Sequence, residues 1–263
     1  MGAALRSELT KLLTTRMWWI LALVMFAYLA LVGGFFAFAM TLGDPGTGGL
    51  AEGEDAARMV YGLGNAIGYA FPLLAGTLLV TGEFRHRTIA QTLLAEPRRG
   101  VVLGSKLLVS IPVGLVYGLA GVLGIVGAGA LILEARGDGA YLGSADVWEV
   151  IVLSVVVTVL WTVIGAAFGA VLTQQVAAIV VILVFTQFVE PIARVALTAV
   201  DGLEQVSRFL PGAAADGLIG SSFFATGGSV DLLPQPAAAA VMVAYVVVFA
   251  LVGRFTTFRR DLG

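Results

Sequence analysis

Residues 78–109, LLVTGEFRHRTIAQTLLAEPRRGVVLGSKLLV, carry the densest charge of the chain, and long apolar runs lie on both sides of that charge. The only histidine of the sequence, His86, is in this stretch. The stretch also contains Glu83, Arg85, Arg87, Glu96, Arg98, Arg99 and Lys106. A membrane span needs about 20 consecutive, mostly apolar residues, and both flanking runs reach that length. The stretch therefore predicts two membrane spans joined by a polar loop.

The composition of the whole chain is that of a membrane protein. Of its 263 residues, 59% are hydrophobic and 12% are charged, whereas a soluble domain carries about 25% charged residues. The 34 glycines suit closely packed membrane helices, because small residues let two backbones approach each other. A net charge of -2 gives no global basic field, so we expect no nucleic-acid partner. The absence of cysteine excludes disulfides and cysteine metal sites.

Hydropathy predicts an all-α polytopic membrane protein, with residues 1–263 forming one transmembrane domain. The six predicted spans are about 17–42, 59–81, 101–133, 146–173, 175–199 and 236–256. The third is long, so it either tilts or extends beyond the lipid. Only the polar triplet Thr173–Gln175 separates the fourth span from the fifth. An uninterrupted helix through this triplet would give five spans.

The distribution of basic residues predicts that both termini are cytoplasmic. Lysine and arginine are enriched in the cytoplasmic loops of membrane proteins. The two terminal segments and the 82–106 loop together hold 11 of the 15 basic residues and 4 of the 17 acidic residues. Six spans put these three segments on one side of the membrane, whereas five spans would separate the termini.

Three segments outside the spans have recognisable patterns. Residues 3–16 predict an amphipathic helix at the cytoplasmic interface, because Leu5, Leu9 and Leu12 share one helix face; an ordinary basic flank is the alternative. Residues 82–99 form a cytoplasmic loop, in which 83–96 predict a short helix that Pro97 ends. Residues 200–235 form an extracellular loop, and its short apolar pieces fit either re-entrant segments or an ordinary surface loop.

The motifs of common catalytic sites are missing from the sequence. One histidine cannot supply the zinc-protease pattern, and there is no G-x-S-x-G motif. The segment GVVLGSKL, residues 100–107, resembles a phosphate-binding loop but lacks glycine directly before its lysine. We therefore expect no enzyme activity, no cofactor and no metal site in this chain.

A few polar or aromatic residues inside the predicted spans are candidates for the wall of a translocation pathway, because buried polar groups in a membrane need a protein or water environment. They are Asn65, Tyr69, Thr158, Trp161 and Thr162. Hydrogen bonding between helices is an equally good interpretation. Glu190 and Arg194 are spaced to pair with each other on one helix face. The glycine pairs 64 and 68, 114 and 118, and 165 and 169 favour close helix packing.

The charged loop and two further segments carry a resemblance to a known family. GEFRHRTIAQTLLAEPRRGVVLGSKLL, residues 82–108, resembles the loop after the second span of ABC-2 type transporter permeases. ELTKLLTTRMWW, residues 8–19, and LPGAAADGLIG, residues 210–220, are similar to the start of that family and to the segment between its last two spans. One position departs from the pattern, since Arg87 replaces the usual glycine.

The resemblance implies a subunit of an ATP-driven exporter in a bacterial inner membrane. Two permeases, identical or homologous, would form the pathway, and a separate ATPase subunit would bind each of them and carry ATP and Mg. Residues 82–96 would be the coupling helix on the ATPase, with a basic residue pairing with Glu83. The expected coupling residues are Glu83, Phe84, Arg85, His86, Arg87, Thr88, Ile89 and Leu93. The alternative is a non-transporting anchor or assembly factor that recruits a cytoplasmic protein, with membrane lipid around it in either case.

Overall fold

The computed structural model describes residues 2–42, 51–198, 200, 203–222 and 232–257, and these residues form helices without any strand. The helices are α1 Gly2–Thr14, α2 Met17–Met40, α3 Gly53–Gly68, α4 Ala70–Arg85, α5 Ile89–Ala95, α6 Arg99–Arg136, α7 Ala145–Val171, α8 Gln175–Val184, α9 Glu190–Thr198, α10 Glu204–Ser207, α11 Pro211–Ile219 and α12 Gln235–Thr256. A π-helical turn, Phe185–Val189, joins α8 to α9.

Six segments are long and apolar enough to cross a membrane, which confirms the predicted number. They are Met17–Met40, Gly53–Arg85, Arg99–Arg136, Ala145–Val171, Gln175–Thr198 and Gln235–Thr256. The fourth and fifth are separate because Leu172 and Gln174 adopt extended backbone conformations between α7 and α8. The alternative of five spans is therefore wrong.

Two spans are longer than predicted. The second begins at Gly53, because Glu54 and Asp55 lie in the first helical turn, where acidic side chains are favoured. The helix of this span is interrupted at Tyr69, between α3 and α4. The third has 38 residues, which corresponds to about 57 Å of helix. Tilts of up to about 40° cannot fit that length into a core of about 30 Å, so α6 extends beyond the lipid.

The charged loop begins later than predicted. Helix α4 continues through Gly82 to Arg85, whereas we expected a new helix from residue 83. The helix ends because Arg87 has a left-handed backbone with φ of 57°. The amide of Thr88 donates to the carbonyl of Glu83 at 2.9 Å, and the amide of Arg87 donates to the carbonyl of Phe84 at 3.3 Å. These are the two hydrogen bonds of a Schellman motif, in which glycine is the preferred left-handed residue.

Glycines allow the central helices α2, α4, α6 and α7 to pack closely. A β-carbon at Gly165 of α7 would overlap the carbonyl of Leu73 in α4, and one at Gly114 of α6 would meet α7 at Val159. Helix α12 packs on α7, and α8 packs on α4. The last two spans are therefore peripheral and leave large apolar faces exposed.

The bundle has two distinct ends. We call the end that carries α1, α5 and the α7–α8 junction the α5 end, and the opposite end the α11 end. In the segment predicted as the extracellular loop, α11 is buried against α3, α7 and α12. Residues 199, 201–202 and 223–231 of that region, and residues 43–50 between α2 and α3 in the sequence, lie outside the described residues.

Candidate functional site

Four charged side chains from three helices meet at the α5 end, and we call this group the ion cluster. The Lys106 ammonium lies 2.9 Å from carboxylate oxygens of both Glu8 and Glu83. The Lys11 ammonium lies 2.7 Å from Glu8 and 2.6 Å from Glu83. Lys11 also donates to the hydroxyl of Thr92 in α5 at 3.0 Å. The ion cluster therefore joins α1, α4, α5 and α6.

The ion cluster is largely shielded from solvent. Lys106 has a fully buried side chain, and Glu8 and Glu83 are also buried, whereas Lys11 is 39% exposed. Burial of the Lys11 ammonium alone would lower its pKa, but hydrogen bonds and negative charge from Glu8 and Glu83 outweigh burial and raise the pKa. Lys11 therefore stays charged at neutral pH, and the two carboxylates and two ammonium groups balance.

The residues predicted to couple to an ATPase divide into a buried and an exposed group. Phe84, Ile89 and Leu93 pack against the chain's own apolar cluster, around Val80 and Val102. Glu83 belongs to the ion cluster, and the hydroxyl of Thr88 lies 3.5 Å from the carbonyl of Glu83. The exposed group consists of Arg85, His86 and Arg87.

The exposed face of α5 carries a residue that the predicted set leaves out. Leu94 is 86% exposed, the highest exposure among the large apolar residues of the described chain. Gln91, one turn earlier, is exposed as well. Leu94 and Gln91 therefore lie on the face of α5 that is open to lipid or to another protein.

A cavity of about 820 Å³ opens beside the ion cluster, between α1, α2, α4, α5, α6 and the start of α8. Its polar lining includes Glu8, Lys11, Glu83 and Arg85. Its apolar lining includes Leu12, Trp18, Leu21, Leu78 and Leu79. The cavity thus has an amphipathic wall, with polar groups near the helix ends and apolar groups deeper in the bundle.

A second polar group lies inside the bundle, and we call it the inner network. Arg194 donates to Asp216 at 2.8 Å and to Glu190 at 3.2 Å. Asn65 donates to the other oxygen of Asp216 at 2.7 Å, and the hydroxyl of Tyr69 donates to Glu190 at 2.8 Å. The inner network connects the second span, the fifth span and α11.

The inner network lies deep within the bundle. Tyr69 is 16 residues before Arg85, and Glu190 is 15 residues after Gln175. At 1.5 Å per residue both are therefore about 22–24 Å from the α5 end. Glu190 and Asp216 are each 1% exposed. Arg194 thus forms the predicted pair with Glu190 in a buried setting, and it adds Asp216 as a second partner.

Three of the five predicted pathway residues belong to the inner network or contact it. The indole of Trp161 donates to Asn65 at 3.1 Å, and its ring lies 4.6 Å from that of Tyr69. Thr158 and Thr162 lie outside the network. Each of these hydroxyls donates to the carbonyl four residues earlier in α7.

An apolar cavity of about 310 Å³ lies next to the inner network, between α7, α8, α11 and α12. Its aromatic lining consists of Trp161, Phe168, Phe185, Tyr245 and Phe249. Of the five predicted pathway residues, only Trp161 is among the described residues that line it.

Glu8, Lys11, Lys106 and Asp216 are site residues that the sequence-based prediction missed. Lys106 and Asp216 had a usable signal, because each is a charge within an apolar segment, where charge is costly unless paired. Glu8 and Lys11 had no such signal, since both fit an ordinary polar helix face.

Compared with known proteins, the chain matches no family model, and no curated protein matches it.

Proposed function

We propose that this chain is the membrane-spanning permease subunit of an ATP-driven exporter of the ABC-2 type. The observation that carries the proposal is the sequence of residues 82–108, which contains the short helix α5 between two spans and resembles the ATPase-contacting loop of that family. The six candidate spans are consistent with the family pattern. The α5 end is then cytoplasmic, together with both termini.

The ion cluster supports the proposal, because it gives α5 a mechanical connection to the spans. Thr92 of α5 accepts a hydrogen bond from Lys11, and Lys11 is bonded to Glu83 at the end of α4. Lys106 connects the same carboxylate to α6. A displacement of α5 by a docked ATPase is therefore passed to α1, α4 and α6.

The proposed assembly contains two permeases and two ATPase subunits. ATP and Mg bind to the ATPase, and the permease contributes no catalytic residue. The ATPase contacts the exposed face of α5 through Leu94 and Gln91, and it contacts Arg87 in the turn before α5. A second permease, identical or homologous, covers part of the exposed apolar faces of the peripheral spans, and lipid covers the rest.

A first test asks whether a gene next to that of this chain encodes an ABC ATPase, and co-expression with that ATPase then tests the proposal directly. We expect the two proteins to co-purify, and ATP turnover of the complex in lipid vesicles to depend on the permease. Leu94→Asp should weaken ATPase retention about 30-fold, because burying one leucine side chain contributes about 2 kcal/mol. Leu142→Asp, the same change at an exposed position of the opposite end, is the control.

Two results would contradict the proposal. One is that no ABC ATPase binds the purified chain. The other is that an ATPase binds but no tested amphiphile, sugar or drug changes its turnover. Retention of a cytoplasmic protein without ATPase activity would instead support the alternative of a membrane anchor or assembly factor.

The pathway residues remain part of the proposal. Asn65→Leu removes the amide that joins Trp161 to Asp216. Thr162→Leu changes a buried residue that lies against Gly76 of α4 and Gly114 of α6. Both variants should alter the selectivity of transport more than they reduce assembly. Unchanged transport of every substrate in both variants would remove these residues from the pathway.

A further inference from the structure

Two buried polar atoms in the wall of the cavity at the α5 end have no hydrogen-bond partner among the described residues. They are the indole nitrogen of Trp18, a donor, and the side-chain oxygen of Gln175, an acceptor. Both residues line the cavity, and Gln175 is only 8% exposed. Native proteins leave few buried polar atoms unpaired. Both atoms have almost no accessible surface of their own, so a small rotation of each side chain toward the cavity lets an occupant with a donor and an acceptor pair with them.

The two atoms lie at the level of lipid head groups. Trp18 is the second residue of α2 and Gln175 is the first residue of α8. Arg85, which also lines the cavity, is the last residue of α4. All three are therefore at the ends of spans, where the apolar core of a membrane gives way to its polar surface.

The mouth of the cavity favours an anion. Glu8 and Glu83 are already neutralised within the ion cluster, and Glu96 is bonded to Arg98 at 2.8 Å. Arg85 is exposed and has no ion pair within the part of the chain that the structure describes. The remaining charge at the mouth is therefore positive, and phosphate groups are suited to such a position.

The inner part of the cavity is apolar over the depth of one leaflet. It is lined by Leu21, Leu78 and Leu79, and it reaches Ala75. Ala75 is ten residues before Arg85, which corresponds to about 15 Å along α4. This is half the thickness of a hydrocarbon core of about 30 Å. The wall changes from polar to apolar over the length of an acyl chain in one leaflet.

We propose that this cavity binds one anionic phospholipid of the leaflet at the α5 end. The phosphate lies at Arg85, hydroxyl groups of the head group bond to Trp18 and Gln175, and an acyl chain lies along Leu78 and Leu79. The volume of about 820 Å³ is within the usual range of ligand pockets, roughly 300–1,000 Å³. The inference does not depend on transport, because it needs no ATPase.

Native mass spectrometry of the full chain tests this site. The protein is reconstituted in phosphatidylcholine nanodiscs containing increasing amounts of phosphatidylglycerol, and the lipids retained per chain are counted. We expect one retained phosphatidylglycerol. Arg85→Gln should lower its affinity about fivefold, the factor of one basic residue near an anionic surface. Arg87→Gln removes the same charge two residues later, outside the cavity, and should change nothing.

Two further variants locate the head group and the chain. Trp18→Phe keeps the ring but removes the indole donor, so it should lower retention of phosphatidylglycerol and leave phosphatidylcholine unchanged. Leu79→Trp fills the apolar part and should lower retention of both lipids. Thermal unfolding of each variant shows whether it is folded.

Several outcomes would overturn the proposal. If Arg85→Gln and Arg87→Gln lower the affinity for phosphatidylglycerol equally, the lipid is attracted by the overall positive charge and does not bind at a defined site. If the chain retains no lipid, the cavity is filled by water. Competition by soluble glycerol phosphate at the same affinity would mean a site for free anions. If Arg85→Gln lowers lipid retention and Leu79→Trp has no effect, the lipid binds outside the cavity.

Discussion

The Lys106 ammonium lies 2.9 Å from the Glu83 carboxylate, and the side chain of Lys106 has no exposure to solvent. The two residues come from the end of one span and the start of the next, with the charged loop between them. Breaking a buried ion pair by removing one partner typically costs about 3–5 kcal/mol, because the other charge stays buried without compensation. The loop is thus held at its base by charges that water does not screen.

Lys106→Met should lower the thermal stability of the purified protein by about 3–5 kcal/mol, because Glu8 and Glu83 then share only Lys11. Unfolding in detergent, followed by circular dichroism, gives the change. The double variant Glu83→Gln with Lys106→Met should recover part of the loss, since it removes one charge of each sign. Arg98→Gln, which breaks an exposed pair, is the control and should leave the unfolding midpoint unchanged. A silent Lys106→Met would contradict the burial of this lysine.

Arg87→Gly should stabilise the protein by about 1 kcal/mol, because glycine adopts a left-handed backbone without the steric cost of a β-carbon. Arg87→Ala separates charge from backbone strain, since alanine removes the guanidinium but keeps the β-carbon. We expect a raised midpoint of thermal unfolding for glycine and no increase for alanine. Equal shifts in both variants would mean that the charge of Arg87 is the cause.

Gly165→Ala should destabilise the bundle by about 1–3 kcal/mol, because the added β-carbon overlaps the backbone carbonyl of Leu73. Gly127→Ala is a matched control in α6, where a β-carbon meets nothing within 4 Å. The control should be neutral or slightly stabilising, since alanine favours helix. Thermal unfolding of the two variants in the same detergent compares them. A fully tolerated Gly165→Ala would mean that α4 and α7 are farther apart.

Asp216→Ala should loosen α11, because Arg194 and Asn65 then lose their shared acceptor. The expected cost is about 3–5 kcal/mol, as for other buried ion pairs. Limited proteolysis should show faster cleavage within 203–222 while the spans remain intact. Asp146→Ala, an exposed acid at the same end, is the control. Unchanged proteolysis of Asp216→Ala would mean that apolar packing alone holds α11.

Single cysteines test the orientation that the basic residues predict, because the chain has none of its own. Gly143→Cys lies at the α11 end and Gln91→Cys lies on α5, and both positions are exposed. An impermeant thiol reagent should label Gly143→Cys in intact cells and Gln91→Cys only after the cells are opened. The reverse pattern would invert the topology.

Local sequence alone was sufficient for the number of spans and for the expectation of close helix packing at certain glycines. Span length and hydropathy are properties of neighbouring residues, so six spans follow from the sequence, and the polar triplet at residues 173–175 predicts the break between the fourth and fifth. Gly114 and Gly165 indicate close crossings because a missing side chain is itself a local property. The arginine noted in the sequence at residue 87, in place of the glycine of the resembled pattern, has a left-handed backbone in the structure.

Only the tertiary structure decided which charges meet. Lys11 and Glu83 are 72 residues apart, and Asn65 and Asp216 are 151 residues apart. No local pattern selects Lys11 or Lys106 as the partner of Glu83, because every basic residue near the loop has the same charge. Which basic residues pair with Glu83 depends on how α1 and α6 pack beside α4. Each charge buried at that contact needs a partner of opposite charge, because burying an unpaired charge is costly. Asp216 is buried for the same reason, since α11 folds back onto α3, where Asn65 is already in place.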